Sequence, residues 1–214
     1  MNRYVSLLSA LAALQFGNPA YGQGSPAPPT PRATVASLGT CRLESGATIE
    51  NCRIAYRTFG RLNAARTNGV LIPTWLLGRS EDWIGMLGAN GWVDTTRFFT
   101  VVVDAFGNGR SSSPSNTPPA GRAAFRDLTI RDMVDAQHRL VVEILKLPRL
   151  HAVLGISMGG HQAFEWAVRY PNFVDAVVPV VGSPRPAAFD QARTATLMSL
   201  IENGQAHGVP DDSI

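Results

Sequence analysis

Four short apolar runs, each closed by turn residues, limit this chain to a few architectures. Residues 70–73, 99–104, 152–155 and 176–182 are almost unbroken in apolar side chains, the pattern of strands buried on both faces of a parallel sheet. Helical periodicity fills part of the intervening sequence. Over residues 129–147 the spacing predicts a helix with Ile130, Met133, Val134, Gln137, Leu140, Val141, Ile144 and Leu145 on one face. Thr129 and Asp132 predict a capping box at its start, and Pro148 stops it. A second helix is expected from about Met158 to Tyr170, ended by Pro171. The order β-α-β-α-β predicts an α/β fold with a mostly parallel sheet and helices on both faces.

Composition narrows the function classes. Hydrophobic residues make 45% and charged residues 16% of the 214, too apolar and too weakly charged for a disordered tail. The 20 glycines and 15 prolines follow no three-residue period, which excludes collagen. Net charge is +3, and the basic residues form no dense run of the kind a nucleic-acid partner requires. No nucleic-acid partner is expected.

The first residues read as a targeting segment. Arg3 precedes an uncharged, mostly apolar run over residues 4–16, and Ala20-Tyr21-Gly22 has the small-x-small form of a signal-peptidase site. As a helix the run would rise about 20 Å, short of the ~30 Å hydrocarbon core. The expectation is a signal peptide over 1–22, no membrane anchor after its cleavage, and export to the periplasm or beyond. Residues 23–34 read as a proline-rich linker, and 35–186 as the folded domain. In an oxidising compartment Cys41 and Cys52, on either side of a glycine-containing turn between two β-like segments, are expected to pair; two buried free thiols are the alternative. No second Cys/His pair has metal-ligand spacing, so no metal site is expected.

The chemistry concentrates at Gly155-Ile156-Ser157-Met158-Gly159, a G-x-S-x-G entered by the strand HAVLG and left by the helix GHQAFEWAVRY. That strand–turn–helix context is the one a nucleophile elbow needs. A serine on so sharp a turn brings strand and helix together, so Gly155 and Gly159 must be small, and Gly160 extends the clearance. Ser157 would stand at a helix N-terminus, where N–H groups and the macrodipole favour negative charge. An oxyanion hole is expected from the N–H of Met158 and from the loop Thr74–Gly78, with Leu76 as its donor. The run Asp104–Gly109 lacks the third glycine of a dinucleotide motif and reads as a turn-rich loop at the sheet's carboxyl edge, Asp104 being structural.

The segments CRIAYRTFGRLNAARTN, DTTRFFTVVVDAFGNGRSSSPSN, TIRDMVDAQHRL and LHAVLGISMGGHQAFEWAVRYPNFVDAVVPVVGSPR together resemble the homoserine O-acetyltransferase branch of the α/β-hydrolase superfamily. The resemblance implies an α/β-hydrolase fold, here ending before the C-terminal strands, with residues 187–214 as the start of a cap region. It implies an acyl-enzyme on Ser157, with Met158 and Leu76 as oxyanion donors. Acetyl-CoA enters as a possible acyl donor, and no cofactor is expected to be bound. The signal peptide and the sequence PTWLLG, where the family has PHALTG-like residues, make an exported ester or amide hydrolase the alternative. A truncated chain without catalysis is a third reading. The partner expected is a small-molecule ester, amide or acyl donor. Triad order in this fold is serine, acid, histidine. After Ser157 come only His161, on the elbow helix, and His207, preceded by Asp190. Neither reads as a catalytic base, and His138 and His151 read as structural. The chain as given is therefore expected to be nearly inactive.

Overall fold

The computed structural model describes residues 31–185 and 187–208; the signal segment and most of the linker expected from the sequence lie outside them. Six strands form one sheet in the order β1-β2-β4-β3-β5-β6. They are β1 (Thr34–Arg42), β2 (Thr48–Phe59), β3 (Gly69–Pro73), β4 (Phe99–Val103), β5 (Ala152–Ile156) and β6 (Val177–Val180). The hairpin β1–β2 is antiparallel and pairs antiparallel to β4, while β4, β3, β5 and β6 run parallel. A disulfide joins Cys41 to Cys52 across this hairpin, with Cα atoms 5.6 Å apart.

The apolar runs at β3, β4 and β5 bury both faces, as strands in the middle of a parallel sheet must. Leu71, Val101, Val103 and Val153 point into one core cluster with Val134, Ala163 and Trp166 of the helices α1 (Ile130–Arg139) and α2 (Met158–Arg169), and with Leu140 just beyond α1. Val70, Ile72, Val102 and Leu154 point the other way, onto Trp83 of a 3₁₀ helix over Ser80–Met86 and onto Val93. β6 differs. It pairs only with β5, and Val178 is 43% exposed, because among the described residues nothing continues the sheet beyond it.

The helix expected over 129–147 is shorter than its apolar pattern. Thr129 and Asp132 form the capping box, the Thr129 hydroxyl accepting from the Asp132 N–H. After Arg139 the backbone widens into a π-turn over Leu140–Ile144, in which the Leu145 N–H reaches the Leu140 carbonyl at 2.9 Å. The extra residue rotates the register, so Ile144, expected on the buried face, stands 41% exposed while Leu140 and Val141 are fully buried. Beyond β6 a third helix, α3 (Ala188–Ala206), carries no buried residue; Phe189 is 77% exposed.

Candidate active site

Parallel strands deliver their following loops to one edge, the usual ligand side of an α/β sheet. Three loops meet there: Thr74–Gly78 after β3, Asp104–Ser113 after β4, and the turn at Ser157 after β5. Thr74 ties the first two together. Its N–H donates to the Val103 carbonyl at 3.0 Å and its hydroxyl accepts from the Ala105 N–H at 3.0 Å. Asp104 is buried and structural, accepting from the Ser80 N–H (2.9 Å), the Ser80 hydroxyl (2.7 Å) and the Asn108 amide (3.0 Å). Asn108 also donates to the Gly78 carbonyl at 3.0 Å, linking the second loop back to the first. The serines at 111 to 113 are all buried, and Ser111 and Ser112 hold the loop to the middle of β2, accepting from the Ala55 and Arg53 N–H groups at 2.9 Å each.

Ser157 has φ 55° and ψ −119°, a conformation that costs a residue with a Cβ of order 1–3 kcal/mol and persists only where its surroundings impose it. The surroundings are visible. Its own N–H donates to the Val180 carbonyl of β6 at 2.9 Å, and three glycines let the turn close. A Cβ on Gly155 would lie 1.9 Å from the Gly159 carbonyl oxygen; one on Gly159, 2.5 Å from the Pro73 carbonyl oxygen; one on Gly160, 3.0 Å from the Gly182 Cα. Gly182 is the reciprocal fourth member, its Cβ position 2.7 Å from the Gly160 carbonyl carbon. It lies outside the G-x-S-x-G pattern, and only the approach of α2 to the end of β6 exposes its role. The serine side chain is left exposed at the N-terminus of α2 and caps nothing.

Met158, as the first residue of α2, has an N–H without an intrahelical acceptor. Leu76 sits in the turn closed by the Gly78 N–H on the Trp75 carbonyl, 3.0 Å. The structure brings these two residues to one cavity of about 100 Å³, whose other walls are Trp75, Leu77, Ala105, Phe106, Gly107, Asn108 and Met133. Phe106 and Met133 were not singled out for the site from sequence. Gln162, one turn into α2, holds the loop from behind: its amide donates to the Thr74 carbonyl at 3.2 Å and accepts from Gln137, which accepts from the Trp166 indole at 2.9 Å. All three side chains are fully buried. The helical pattern already placed Gln137 on the apolar face, and a glutamine there implies a buried partner.

The histidines lie elsewhere. His138 stacks on Tyr170 with centroids 3.8 Å apart, and burial holds its pKa below the usual imidazole value against the pull of Asp135. His151 stacks on Phe98 at 5.0 Å. His161 lines a cavity with Asp190 and Met198 of α3. His207 closes the C-terminus of α3, its Nδ1 2.8 Å from the Asn203 carbonyl. Asp190 and His207 thus stand at opposite ends of one helix, about 25 Å apart at 1.5 Å per residue. Among the described residues no histidine side chain hydrogen-bonds to the Ser157 hydroxyl, the His161 backbone N–H donating instead to the Ser157 carbonyl at 3.1 Å, and no group of His, Cys, Asp and Glu could hold a metal ion.

Residues 70–205 match the family described as the alpha/beta hydrolase fold. An ethyl acetate hydrolase of Pseudomonas veronii is 36% identical over 79% of this chain and 49% of its own length. A homoserine O-acetyltransferase of Trichormus variabilis is 40% identical over 69% of this chain and 43% of its own. In structure, an acetylester hydrolase from Corynebacterium glutamicum superposes with a TM-score of 0.79 at 34% identity, over 86% of this chain and 53% of that one. The chain spans about half the length of the curated relatives it matches.

Proposed function

Because this chain belongs to the α/β hydrolase fold family, we propose that it carries the nucleophile and oxyanion hole of a serine acyl-transfer site whose substrates are short, uncharged esters. The observation that carries the reading is Ser157 itself: a non-glycine residue held at φ 55° between β5 and α2, its hydroxyl free, beside a cavity that Leu76 and Met158 share. In this reading the Ser157 Oγ adds to the ester carbonyl carbon. The carbonyl electron pair moves to oxygen, and the resulting oxyanion accepts from the Leu76 and Met158 N–H groups. Collapse expels the alcohol and leaves an acyl-enzyme, which water then cleaves to the acid. Positioned donors of this kind are each worth about 10²–10³ in rate.

A neutral serine hydroxyl is a weak nucleophile without a base to take its proton. None of the four histidine rings hydrogen-bonds to the Ser157 hydroxyl, so in this reading the base and its acid belong to the part of the relatives' length that this chain does not span. Among the described residues the Asn108 amide and the Trp75 indole are the polar side-chain groups of the cavity's lining, and in this reading water is the acceptor. Acetyl transfer from acetyl-CoA to homoserine is the second reading, favoured by the 40% identity to the Trichormus variabilis acetyltransferase.

The test uses the leaving group to replace the missing base. Incubation with 4-nitrophenyl acetate, whose phenolate leaves unaided, is expected to deposit an acetyl group on the Ser157 peptide slowly, and none on that peptide in Ser157→Ala. Adding homoserine then separates the acceptors, because release as O-acetylhomoserine supports the second reading and release as acetate the first. Acetylation confined to other residues overturns both.

A further inference from the structure

We propose that Met133, projected from α1 into the site, sets the length of the acyl group, admitting acetyl- and propionyl-sized groups and refusing longer ones. The inference rests on the reading of Ser157, Leu76 and Met158 as the reacting centre and names the substrate class that centre takes. Whatever carbonyl sits between the Leu76 and Met158 N–H groups must place its acyl substituent in the cavity those residues share. That cavity holds about 100 Å³, against the ~150 Å³ of an engineered cavity that takes a benzene ring. A carbonyl and one or two carbons fill it.

Two side chains close it on the protein side, and both are fixed. Phe106 is 5% exposed and Met133 9%, and both belong to the main core cluster. Met133 lies in the first turn of α1, the turn secured by the Thr129–Asp132 capping box, and the Asp132 carboxylate also accepts from the Glu44 N–H at 2.7 Å. The helix therefore cannot retreat to admit a longer chain without breaking its own cap. On the outer side Trp75 is equally constrained. Its indole lies against Gly78, where a Cβ would come within 2.7 Å of Nε1, and its ring tilts on Trp83 at 5.9 Å. Phe106 is a rigid ring, whereas a methionine shortened to valine leaves space along the line of the acyl chain. Met133 is thus the residue whose length the cavity reports.

The experiment reads binding rather than turnover. The chain has five methionines, and ¹³C-methyl labelling with assignment by substitution resolves Met133 and Met158 from Met86 and Met198. Methyl acetate is expected to shift the Met133 and Met158 resonances and leave the other two in place, in the unaltered chain and in Ser157→Ala. Methyl butanoate is expected to do so only at much higher concentration. In Met133→Val and Met133→Ala the butanoate, read at Met158, should bind about tenfold tighter as its two extra methylenes are buried, while Met133→Leu keeps the original preference. The valine variant carries the test if the alanine variant unfolds. Equal binding of acetate and butanoate in the unaltered chain, or an unchanged preference in Met133→Val, would overturn the assignment. Failure of the Ser157 reading looks different: esters bind with the expected length preference, yet no acyl group reaches the serine.

Discussion

Ser157 shows how a single backbone geometry is held by its neighbours. The turn closes because the residues two before and two and three after it lack a Cβ, and the positions where those atoms would fall are occupied by backbone that cannot move aside. Gly155→Ala is therefore expected to destabilise the fold by about 1–3 kcal/mol, seen as a lower urea midpoint at constant slope. Gly85→Ala, where a Cβ would meet nothing within 4 Å, should shift stability by less than about 1 kcal/mol. These glycines were legible because their spacing is fixed relative to the serine. Gly182 was not, since its constraint comes from a helix packing on a strand 22 residues further along. His138 carries a pH dependence. Burial keeps its pKa below 6.5 in the folded chain, so the unfolded chain takes up a proton near that pH that the folded chain refuses. Stability should fall as pH drops through about 6.5, until the folded pKa is passed, and His138→Phe should flatten that slope in denaturation measured from pH 8 to 5.

At the scale of elements, the hairpin β1–β2 depends on the Cys41–Cys52 link. The two cysteines stand 11 positions apart in the sequence, and closing a loop of that size in the unfolded chain contributes roughly 2–3 kcal/mol. The double variant Cys41→Ala/Cys52→Ala should lose about that amount by urea titration, with no further loss on adding reductant. Both strands, the capping box at Thr129 and the helix leaving Ser157 were readable because each rests on local chemistry: alternation, a cap pair, a proline stop. The π-turn after Arg139 was not. Leu140, Val141, Ile144 and Leu145 carry a faultless helical pattern, and only the requirement that Leu147 and Leu150 return to the core, both almost fully buried, forces the extra residue. The Gln137–Gln162–Trp166 chain was half readable: its place on a buried face follows from periodicity, its partners from how α1 packs on α2.

For the whole molecule, the sheet order places three loops at one edge and so assembles Leu76, Met158 and Ser157 from positions 81 residues apart in sequence. The fold class and the nucleophile candidate followed from the strand–turn–helix motif. The shape of the site did not, because Met133 and Phe106 reach it through tertiary packing that no local pattern encodes. Among the described residues β6 has no partner on its outer side and α3 buries none of its residues. In the function proposed here Ser157 is a nucleophile, and the oxyanion it generates is received by the N–H groups of Leu76 and Met158. The most direct test of this function is ¹⁵N-resolved NMR of the chain before and after forming a phosphonate adduct on that serine with a fluorophosphonate. The Leu76 and Met158 amide protons are both expected to move strongly downfield, and Ser157→Ala to give neither adduct nor shift. An adduct on Ser157 that leaves both amides where they were would contradict it.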